Sequence, residues 1–405
     1  MLLRTAGLTA GVTAGVQTAV AAGLIAFDWW RNRDRKVRQA PRPGTFSATV
    51  EESEFTIYTS GATLYEAMLD AIDSAERSIH LETFIWKGDE VGQRFLDAVN
   101  AAADRGVDVY VLYDGFANLV VPSSFYQFSD RVNVRRIPAV ARAYWRGPLR
   151  YSGFNHSKIL VVDDHVGFVG GYNIGSTYAR EWRDTHIREI GPAVWGLRNA
   201  IANKWNEVHP ADRRISWIPP QNWDPEVRVA ANLPLHLVYP IRQLYLNGIE
   251  RAKDHIWITT PYFIPDQQIL DALIEASGRG VDVRVMVPKN SNHVVSDWVS
   301  RGFYGQMLDA GITILLYSAA MIHAKTATID REWSTVGTAN IDRLSLSFNH
   351  ETNVEIIDAG FAEQMERVFL ADAEHCEVLT SPQWRDRHPM ARVAERLLRP
   401  WRSFL

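Results

Sequence analysis

The sequence predicts an α/β protein made of two similar units, and three observations carry this prediction. Segments with helical apolar periodicity alternate with short runs that suit buried strands. The order helix, strand, helix, strand occurs twice, and the peptide RGVDV stands at the same place in both copies, at residues 105–109 and 279–283. Self-similarity over such a length is typical of an internal duplication.

The elements follow in the same order in both halves. The first half predicts a helix, a strand, a second helix and a turn that leads into a buried strand: Thr63–Ser74, Ser78–Trp86, Gly92–Ala103 and Arg105–Asp114. The second half repeats them: Gln243–Lys253, His255–Tyr262, Gln267–Ser277 and Arg279–Val287. With 405 residues, the chain is long enough for two substantial cores.

We divide the chain into five segments on composition. The first unit covers residues 45–208 and the second covers residues 241–380. Residues 209–240 connect them, because this stretch is rich in proline and poor in periodic runs. Residues 1–38 form an apolar helix with a basic flank, and residues 381–405 form a basic amphipathic tail.

The two ends of the chain are candidates for contact with a membrane. Residues 5–27 carry no charge and are long enough to cross a bilayer, although a peripheral or buried Ala-rich helix is the alternative. The basic cluster follows this segment, which argues against a cleaved signal peptide and places the rest of the chain on the cytoplasmic side. The tail suits an anionic membrane surface, or a helix that docks on the body.

Composition disfavours several function classes. The net charge is −4, whereas a nucleic-acid-binding protein usually has a basic excess. We therefore expect no nucleic acid partner. Cys376 is the single cysteine, so the chain has no intrachain disulfide and no cluster of thiolate metal ligands.

Each half contains one block of chemically reactive residues with matched spacing. Counted from a histidine, a lysine follows at +2, an aspartate at +7, a glycine at +14, an asparagine at +17 and a carboxylate at +28. The blocks are His156, Lys158, Asp163, Gly170, Asn173 and Asp184, and His323, Lys325, Asp330, Gly337, Asn340 and Glu351. Folding alone explains repeated glycines and apolar runs, but it does not demand histidine and lysine together.

This set of residues is suited to a phosphodiester. Residues two apart in a strand share a face, so each histidine and its lysine point the same way. Two such half-sites facing each other offer positive charge for the phosphate oxygens, one imidazole to attack phosphorus and one to protonate the leaving oxygen. The +28 carboxylates, Asp184 and Glu351, can orient the two imidazoles. Such a site needs neither a metal nor another cofactor.

The two aspartates at +7 are the weakest members of the candidate set. Asp163 and Asp330 have an odd offset from the histidine, which places them on the opposite strand face and at the strand end. There, roles in turns and hydrogen bonds are more typical than direct chemistry. We retain both in the candidate catalytic set.

With these residues, the chain resembles the phospholipase D superfamily, and within it the bacterial cardiolipin synthases. Further motifs carry the resemblance over roughly residues 45–405, including LETFIW at 81–86, TTPYFIPD at 259–266 and GTANIDRLSLSFNHETN at 337–353. The resemblance implies two α/β/α sandwich units that pack about a pseudo-twofold axis with a shared active site. Ser157 stands where the family often has arginine, and Arg343 stands one place early in NIDRLS.

The resemblance also implies a reaction. A phosphatidyl group would pass from phosphatidylglycerol, or a similar phospholipid, to a second phosphatidylglycerol through a phosphohistidine at the cell membrane. In relatives, the first histidine is usually the nucleophile, here His156, which leaves His323 as the acid; the sequence itself is symmetric. Hydrolysis by a phospholipase D or a nuclease, and a catalytically silent lipid-binding protein, are the alternatives.

Overall fold

Two eight-stranded mixed sheets form the body of the molecule. The computed structural model describes Gly23 and residues 39–138, 153–209, 213–220 and 225–403. The possible anchor at residues 5–27 lies outside these ranges, apart from Gly23. Within the described ranges, no helix is both long and apolar enough to cross a membrane.

Each sheet takes its eight strands from one half of the chain. The first sheet contains β1 (Thr45–Val50), β2 (Ser53–Tyr58), β3 (Ser78–Thr83), β4 (Asp108–Asp114), β5 (Asn133–Ile137), β6 (Ile159–Val162), β7 (Val166–Gly170) and β9 (His186–Ile190). The second contains β10 (Val227–Ala231), β11 (His255–Thr259), β13 (Asp282–Pro288), β14 (Thr313–Tyr317), β16 (Thr326–Ile329), β17 (Trp333–Gly337), β19 (Thr352–Ile357) and β20 (Cys376–Leu379). Four two-residue strands lie outside them: β8 (Trp182–Arg183), β12 (Phe263–Ile264), β15 (Met321–Ile322) and β18 (Ile341–Asp342).

The helices flank these sheets. In chain order they are α1 (Gly61–Asp73), α2 (Glu90–Asp104), α3 (Ser176–Arg180), α4 (Trp195–Val208), α5 (Pro240–Arg251), α6 (Gln267–Gly278), α7 (Val294–Asp309), α8 (Arg343–Ser347), α9 (Ala359–Ala373), α10 (Ser381–Arg385) and α11 (Pro389–Leu398).

The order of strands confirms the duplicated α/β fold. The first sheet runs β1-β2-β9-β7-β6-β3-β4-β5 and the second runs β10-β19-β17-β16-β11-β13-β14-β20. Seven strands of each sheet therefore have a counterpart in the other, from β2 and β10 to β5 and β14. The first sheet adds β1 at one edge, and the second adds β20 at the other. Strand β10 lies inside the segment that composition assigned to the connector.

Apolar clusters pack against both sheets, and a central one joins them. One buried cluster lies between the first sheet and helices such as α1 and α2, and another lies between the second sheet and helices such as α5 and α6. A central cluster takes residues from both sheets and from α4 and α9, including an edge-to-face contact of Phe55 and Phe361 at 5.5 Å. The two units thus share one core.

The strand predicted over Ser78–Trp86 ends early. Strand β3 stops at Thr83, because the next amides bond to side chains and not to a neighbouring strand. The N–H of Ile85 donates to Asn173 at 3.1 Å, and that of Trp86 donates to Asn118 at 2.8 Å. The chain therefore leaves the sheet beside the predicted site.

The C-terminal tail forms a docked helix over most of its length. Leu398 of α11 is fully buried, and the buried Glu395 pairs with Arg387 at 2.9 Å and with Arg301 of α7 at 3.2 Å. Met390 on the outer face remains exposed.

Candidate active site

Each His-x-Lys pair lies at the entry to a central strand. His156 and Lys158 come directly before β6, and His323 and Lys325 come directly before β16. All four residues are buried. Burial lowers the pKa of both histidines; the positive charge of Lys325 also lowers that of His156, and the charge of Lys158 also lowers that of His323. The fold therefore brings together the two pairs, as their spacing predicts.

A carboxylate from the second half holds His156. The Nδ1 atom of His156 lies 2.9 Å from Oε2 of Glu351. The Thr338 hydroxyl donates to the same carboxylate oxygen at 2.6 Å, and the Asn349 amide donates to the other at 3.3 Å. Burial raises the pKa of Glu351, but His156, Lys158 and Thr338 outweigh burial and hold it below its usual range. Glu351 is thus an anion that favours a proton on Nδ1 of the ring.

A carboxylate from the first half holds His323. The Nδ1 atom of His323 lies 2.7 Å from Oδ2 of Asp184, whose other oxygen accepts from the Thr185 N–H at 2.7 Å. Burial raises the pKa of Asp184 to about 6, although Lys325 opposes this. Burial, and then Lys325, lower the pKa of His323 well below its usual range.

Each histidine is paired with a carboxylate of the other half, and two short backbone contacts between the halves create these pairs. Strand β8 pairs in parallel with β15, and the N–H of His323 donates to the carbonyl of Arg183 at 2.7 Å. At the equivalent place, the N–H of His156 donates to the carbonyl of His350 at 2.9 Å. In both cases the next residue of the accepting strand is the carboxylate, so the backbone contact delivers it to the imidazole.

The two lysines are buried cations held on the backbone. The Lys158 ammonium donates to the His156 carbonyl at 2.6 Å. The Lys325 ammonium donates to the His323 carbonyl and also lies 2.8 Å from Nδ1 of the His323 ring, which Asp184 contacts as well. Burial lowers the pKa of Lys158 to about 7 and that of Lys325 to about 8. An anionic phosphate between them would raise both values, because an opposite charge favours the protonated form.

The two asparagines differ in their bonding. Asn173 accepts from the Ile85 N–H through its side chain, and its backbone carbonyl accepts from the Tyr65 hydroxyl. Asn340 instead hydrogen-bonds the Asp342 carboxyl. Its Oδ1 atom is buried and, within the described ranges, has no hydrogen-bond partner.

Position +15 also differs between the halves, and it is occupied by glycine only in the first. A Cβ atom on Gly171 would lie 2.1 Å from Oδ1 of Asp184, so only glycine fits against this carboxylate. The second half has Thr338 there, whose hydroxyl bonds to Glu351.

The aspartates at +7 do not join the cluster. The carboxylate of Asp163 accepts the backbone N–H groups of Glu76, Arg77 and Ser78 at 2.7–2.9 Å. Asp330 accepts the equivalent three, from residues 253–255, at 2.8–2.9 Å. Both bind the entry to the strand next to β6 or β16, at the far end of those strands from the histidines. This geometry argues against the direct chemical role for which they were retained.

Sequence reasoning missed the side chains that lie behind the two histidines. On the His323 side, Arg183 makes a fully buried two-pronged salt bridge to Asp372, at 2.8 and 2.7 Å. On the His156 side, His350 lies 2.6 Å from the Lys204 ammonium, which also bonds to Glu207 at 3.3 Å. Arg183 and His350 each stand directly before a +28 carboxylate. Alignment of the two halves therefore pairs these two residues, and this was the signal in the sequence that could have found them.

Aromatic rings cover both imidazoles. The Phe84 ring contacts His156 edge to face at 4.7 Å, and the Trp182 ring lies 4.8 Å from His323. Ser157, between His156 and Lys158, shares a hydrogen bond with Thr352 at 3.0 Å.

A metal ion is bound by several side chains together. Across the described ranges, no group of three or more His, Cys, Asp or Glu side chains could hold a metal ion. Residues 142–151, in which arginines alternate with tyrosine and tryptophan before the first motif, lie outside those ranges.

Comparison with known proteins identifies the family. The family described as cardiolipin synthase, phospholipase D-like domain, matches residues 68–190 and 245–373, one match in each half. The cardiolipin synthase of Clostridium perfringens is 32% identical over 376 residues, which cover 87% of this chain and 77% of that protein. The major cardiolipin synthase ClsA of Bacillus subtilis is 32% identical over 372 residues, which cover 86% of this chain and 76% of that protein.

The chain belongs to the phospholipase D-like cardiolipin synthase family. It is therefore an enzyme of the phospholipase D superfamily, as the two His-x-Lys blocks predicted. A solved structure shows the same fold: the phosphatidylserine synthase of Haemophilus influenzae has a TM-score of 0.67 and 16% identity, and the match covers 89% of this chain and 95% of that one.

Proposed function

We propose that this family member transfers a phosphatidyl group from phosphatidylglycerol, or a similar phospholipid, to a second phosphatidylglycerol at the cytoplasmic face of the cell membrane. The exchanged His–carboxylate pairs carry this proposal. Because the carboxylates occupy Nδ1 of both rings, Nε2 is the nitrogen that each ring presents for chemistry.

His156 is the nucleophile in this proposal, and His323 is the acid and base. The Nε2 atom of His156 attacks phosphorus, the bond from phosphorus to the glycerol oxygen breaks, and His323 protonates that oxygen. In the second step, His323 takes the proton of the acceptor hydroxyl. That oxygen attacks phosphorus, and the N–P bond breaks. Lys158 and Lys325 neutralise the non-bridging oxygens.

The electrostatic difference between the halves supports this assignment. The nucleophile gains a positive charge when it attacks, and a carboxylate that stays ionised stabilises that charge best. Glu351 meets this need, because its pKa lies below its usual range. Burial raises the pKa of Asp184 to about 6 and lowers that of His323 well below its usual range, so His323 holds a proton less tightly than a free imidazole and releases it readily to the leaving oxygen.

The remaining residues have supporting roles in the proposal. Asn340 presents a buried Oδ1 that suits a hydroxyl of the lipid head group. Asn173 orients the chain beside the site, and Asp163 and Asp330 brace the two strands.

Product analysis tests the proposal. Purified enzyme is incubated with phosphatidylglycerol in mixed micelles, and the lipids are separated. Cardiolipin together with glycerol is the expected result. Phosphatidic acid without cardiolipin would instead identify a hydrolase that passes the same intermediate to water, and the transferase proposal would be wrong.

A further inference from the structure

The loop that follows β4 displays apolar side chains to solvent next to the active site. Phe116 is 50% exposed, Leu119 is 60% exposed and Val120 is 81% exposed. Single exposed apolar residues need no explanation, but three within five positions of one loop form a patch.

Buried polar groups hold this loop in its shape. The Asp114 carboxylate accepts the N–H groups of Phe116 and Ala117 at 2.8 and 2.9 Å. The Asn118 side chain is buried, accepts the Trp86 N–H at 2.8 Å, and donates to the Asp114 carbonyl at 2.7 Å. The residues directly after this buried anchor are the most exposed ones, so the apolar tip is a built feature of the loop.

Aromatic rings connect this tip to the nucleophile. The Phe116 ring lies 4.9 Å from that of Phe154, which lies 6.4 Å from that of Phe84. Phe84 in turn contacts His156 at 4.7 Å. An unbroken apolar path therefore runs from the exposed loop to the imidazole.

Positive charge borders the same patch. Arg136 lies exposed on the edge strand β5 and donates to the Gly115 carbonyl at 3.0 Å. Apolar side chains with arginines beside them are typical of protein surfaces that enter an anionic lipid monolayer.

The second half serves as an internal control for the fold. Its equivalent loop, after β13, reads Lys289-Asn290-Ser291-Asn292-His293 and is polar throughout. The same architecture therefore folds with a polar loop at this place, and folding does not require the apolar residues of the first.

We propose that the loop Phe116–Val120 inserts into an anionic phospholipid monolayer and that the Phe116–Phe154–Phe84 row leads the acyl chains of the donor lipid to His156. This inference rests on the proposed function for the substrate, while the insertion itself rests on the loop. The loop thus makes the first half-site the side from which lipid enters.

A fluorescent probe tests the insertion directly in the full-length protein. Cys376 is the single cysteine, so the Cys376→Ala variant provides a background in which Val120→Cys is labelled with an environment-sensitive dye. Val378→Cys is the matched control, because Val378 is also exposed, at 54%, and lies on the edge strand β20. With phosphatidylglycerol vesicles, the dye at position 120 should brighten and be quenched by lipid-borne quenchers, whereas the dye at position 378 should not respond. Equal responses at the two positions would overturn the proposal.

Turnover tests the consequence for catalysis. The double variant Leu119→Ser/Val120→Ser should lower the rate on phosphatidylglycerol vesicles roughly tenfold to hundredfold more than the rate on monomeric short-chain phosphatidylglycerol. Val378→Ser should leave both rates as they are. An unchanged ratio in the double variant would contradict the proposal.

The two proposals fail in different ways. If the unmodified enzyme forms no cardiolipin from phosphatidylglycerol in mixed micelles, the proposed function is wrong, whatever the dye reports. Phosphatidylcholine vesicles separate lipid surfaces in general from anionic ones: a dye response equal to that with phosphatidylglycerol would refute the role of Arg136.

Discussion

The two half-sites carry the same His-x-Lys pair but differ in the carboxylate that faces each histidine and in the groups that hold that carboxylate. His156 faces Glu351, an anion held by a hydroxyl and an amide. His323 faces Asp184, which packs against Gly171 and whose pKa is raised by burial to about 6. Duplication supplied two copies of one reactive pair, and the surroundings then made them unequal. Attack and proton donation need opposite protonation states, and unequal surroundings favour that division between the two imidazoles.

The layers behind the histidines differ in the same way. A salt bridge between Arg183 and Asp372 backs His323, whereas His350 and Lys204 back His156. The first contact pairs the Arg183 guanidinium with the Asp372 carboxylate. The second pairs the Lys204 ammonium with the His350 imidazole, which accepts a hydrogen bond. Burial, and then Lys204, lower the pKa of His350 well below its usual range, so this ring stays neutral.

The largest expected effect separates the two histidines by their intermediates. His156→Ala and His323→Ala should each lower kcat at least about 1,000-fold, because each removes one partner of the displacement. Only His323→Ala should still form a phosphatidyl-protein adduct, which acid-quenched mass spectrometry of the enzyme with phosphatidylglycerol detects. An adduct in His156→Ala, and none in His323→Ala, would reverse the assignment.

The two carboxylates should differ in the next largest effect. Glu351→Gln replaces a stable anion and stabilises the wrong tautomer of His156, and such a change costs roughly 100-fold to 10,000-fold in kcat. Asp184→Asn should cost less, because burial raises the pKa of Asp184 to about 6, so this carboxylate is closer to its neutral form than Glu351 is. Single-turnover rates measure both variants. Equal losses would mean that the difference in pKa between the carboxylates has no part in the reaction.

The contacts behind the two histidines should differ in how much they stabilise the folded protein. Asp372→Asn leaves the fully buried Arg183 without a counter-charge and should lower the free energy of unfolding by about 3 kcal/mol or more. His350→Asn removes a neutral ring and should cost less. Urea unfolding of both variants measures the difference. A larger loss in His350→Asn would show that the neutral layer, not the salt bridge, stabilises the centre.

The lysines predict a pH dependence common to both half-sites. Free enzyme loses the charge of Lys158 and then of Lys325 as the pH rises through about 7 and about 8, so kcat/KM should fall over this range. Bound phosphate raises both pKa values, and kcat should therefore persist to higher pH. Initial rates on short-chain phosphatidylglycerol across the range check this. A flat kcat/KM from about pH 6 to about pH 9 would contradict it.

The smallest effect on activity concerns the residues that are alike in the two halves. Asp163→Asn or Asp330→Asn weakens three backbone hydrogen bonds and should lower the free energy of unfolding by about 1–2 kcal/mol, with kcat within about threefold of the parent. The pKa of each carboxyl lies below its usual range, so the stability that each contributes is present at neutral pH and is lost as the pH falls through that lowered pKa. A loss of kcat as large as that of the histidine variants would restore a direct chemical role.

The sequence by itself determined the duplicated α/β fold and most of the reactive groups. Spacing of +2 was enough to place His156 with Lys158 and His323 with Lys325, because side chains alternate along an extended chain. The odd offset of Asp163 and Asp330 likewise indicated their place at the strand ends. These are local properties, and each follows from the geometry of a single strand.

Only the tertiary structure decided how the groups are paired. No spacing reveals that Glu351 serves His156 and that Asp184 serves His323, because each pair forms across the interface of the two halves. The inequality of the carboxylates is also a tertiary property: burial acts on both, but hydrogen bonds from Thr338 and Asn349 reach only one. A pKa depends on every charge and dipole around a group, and the chain supplies those from residues far apart in sequence.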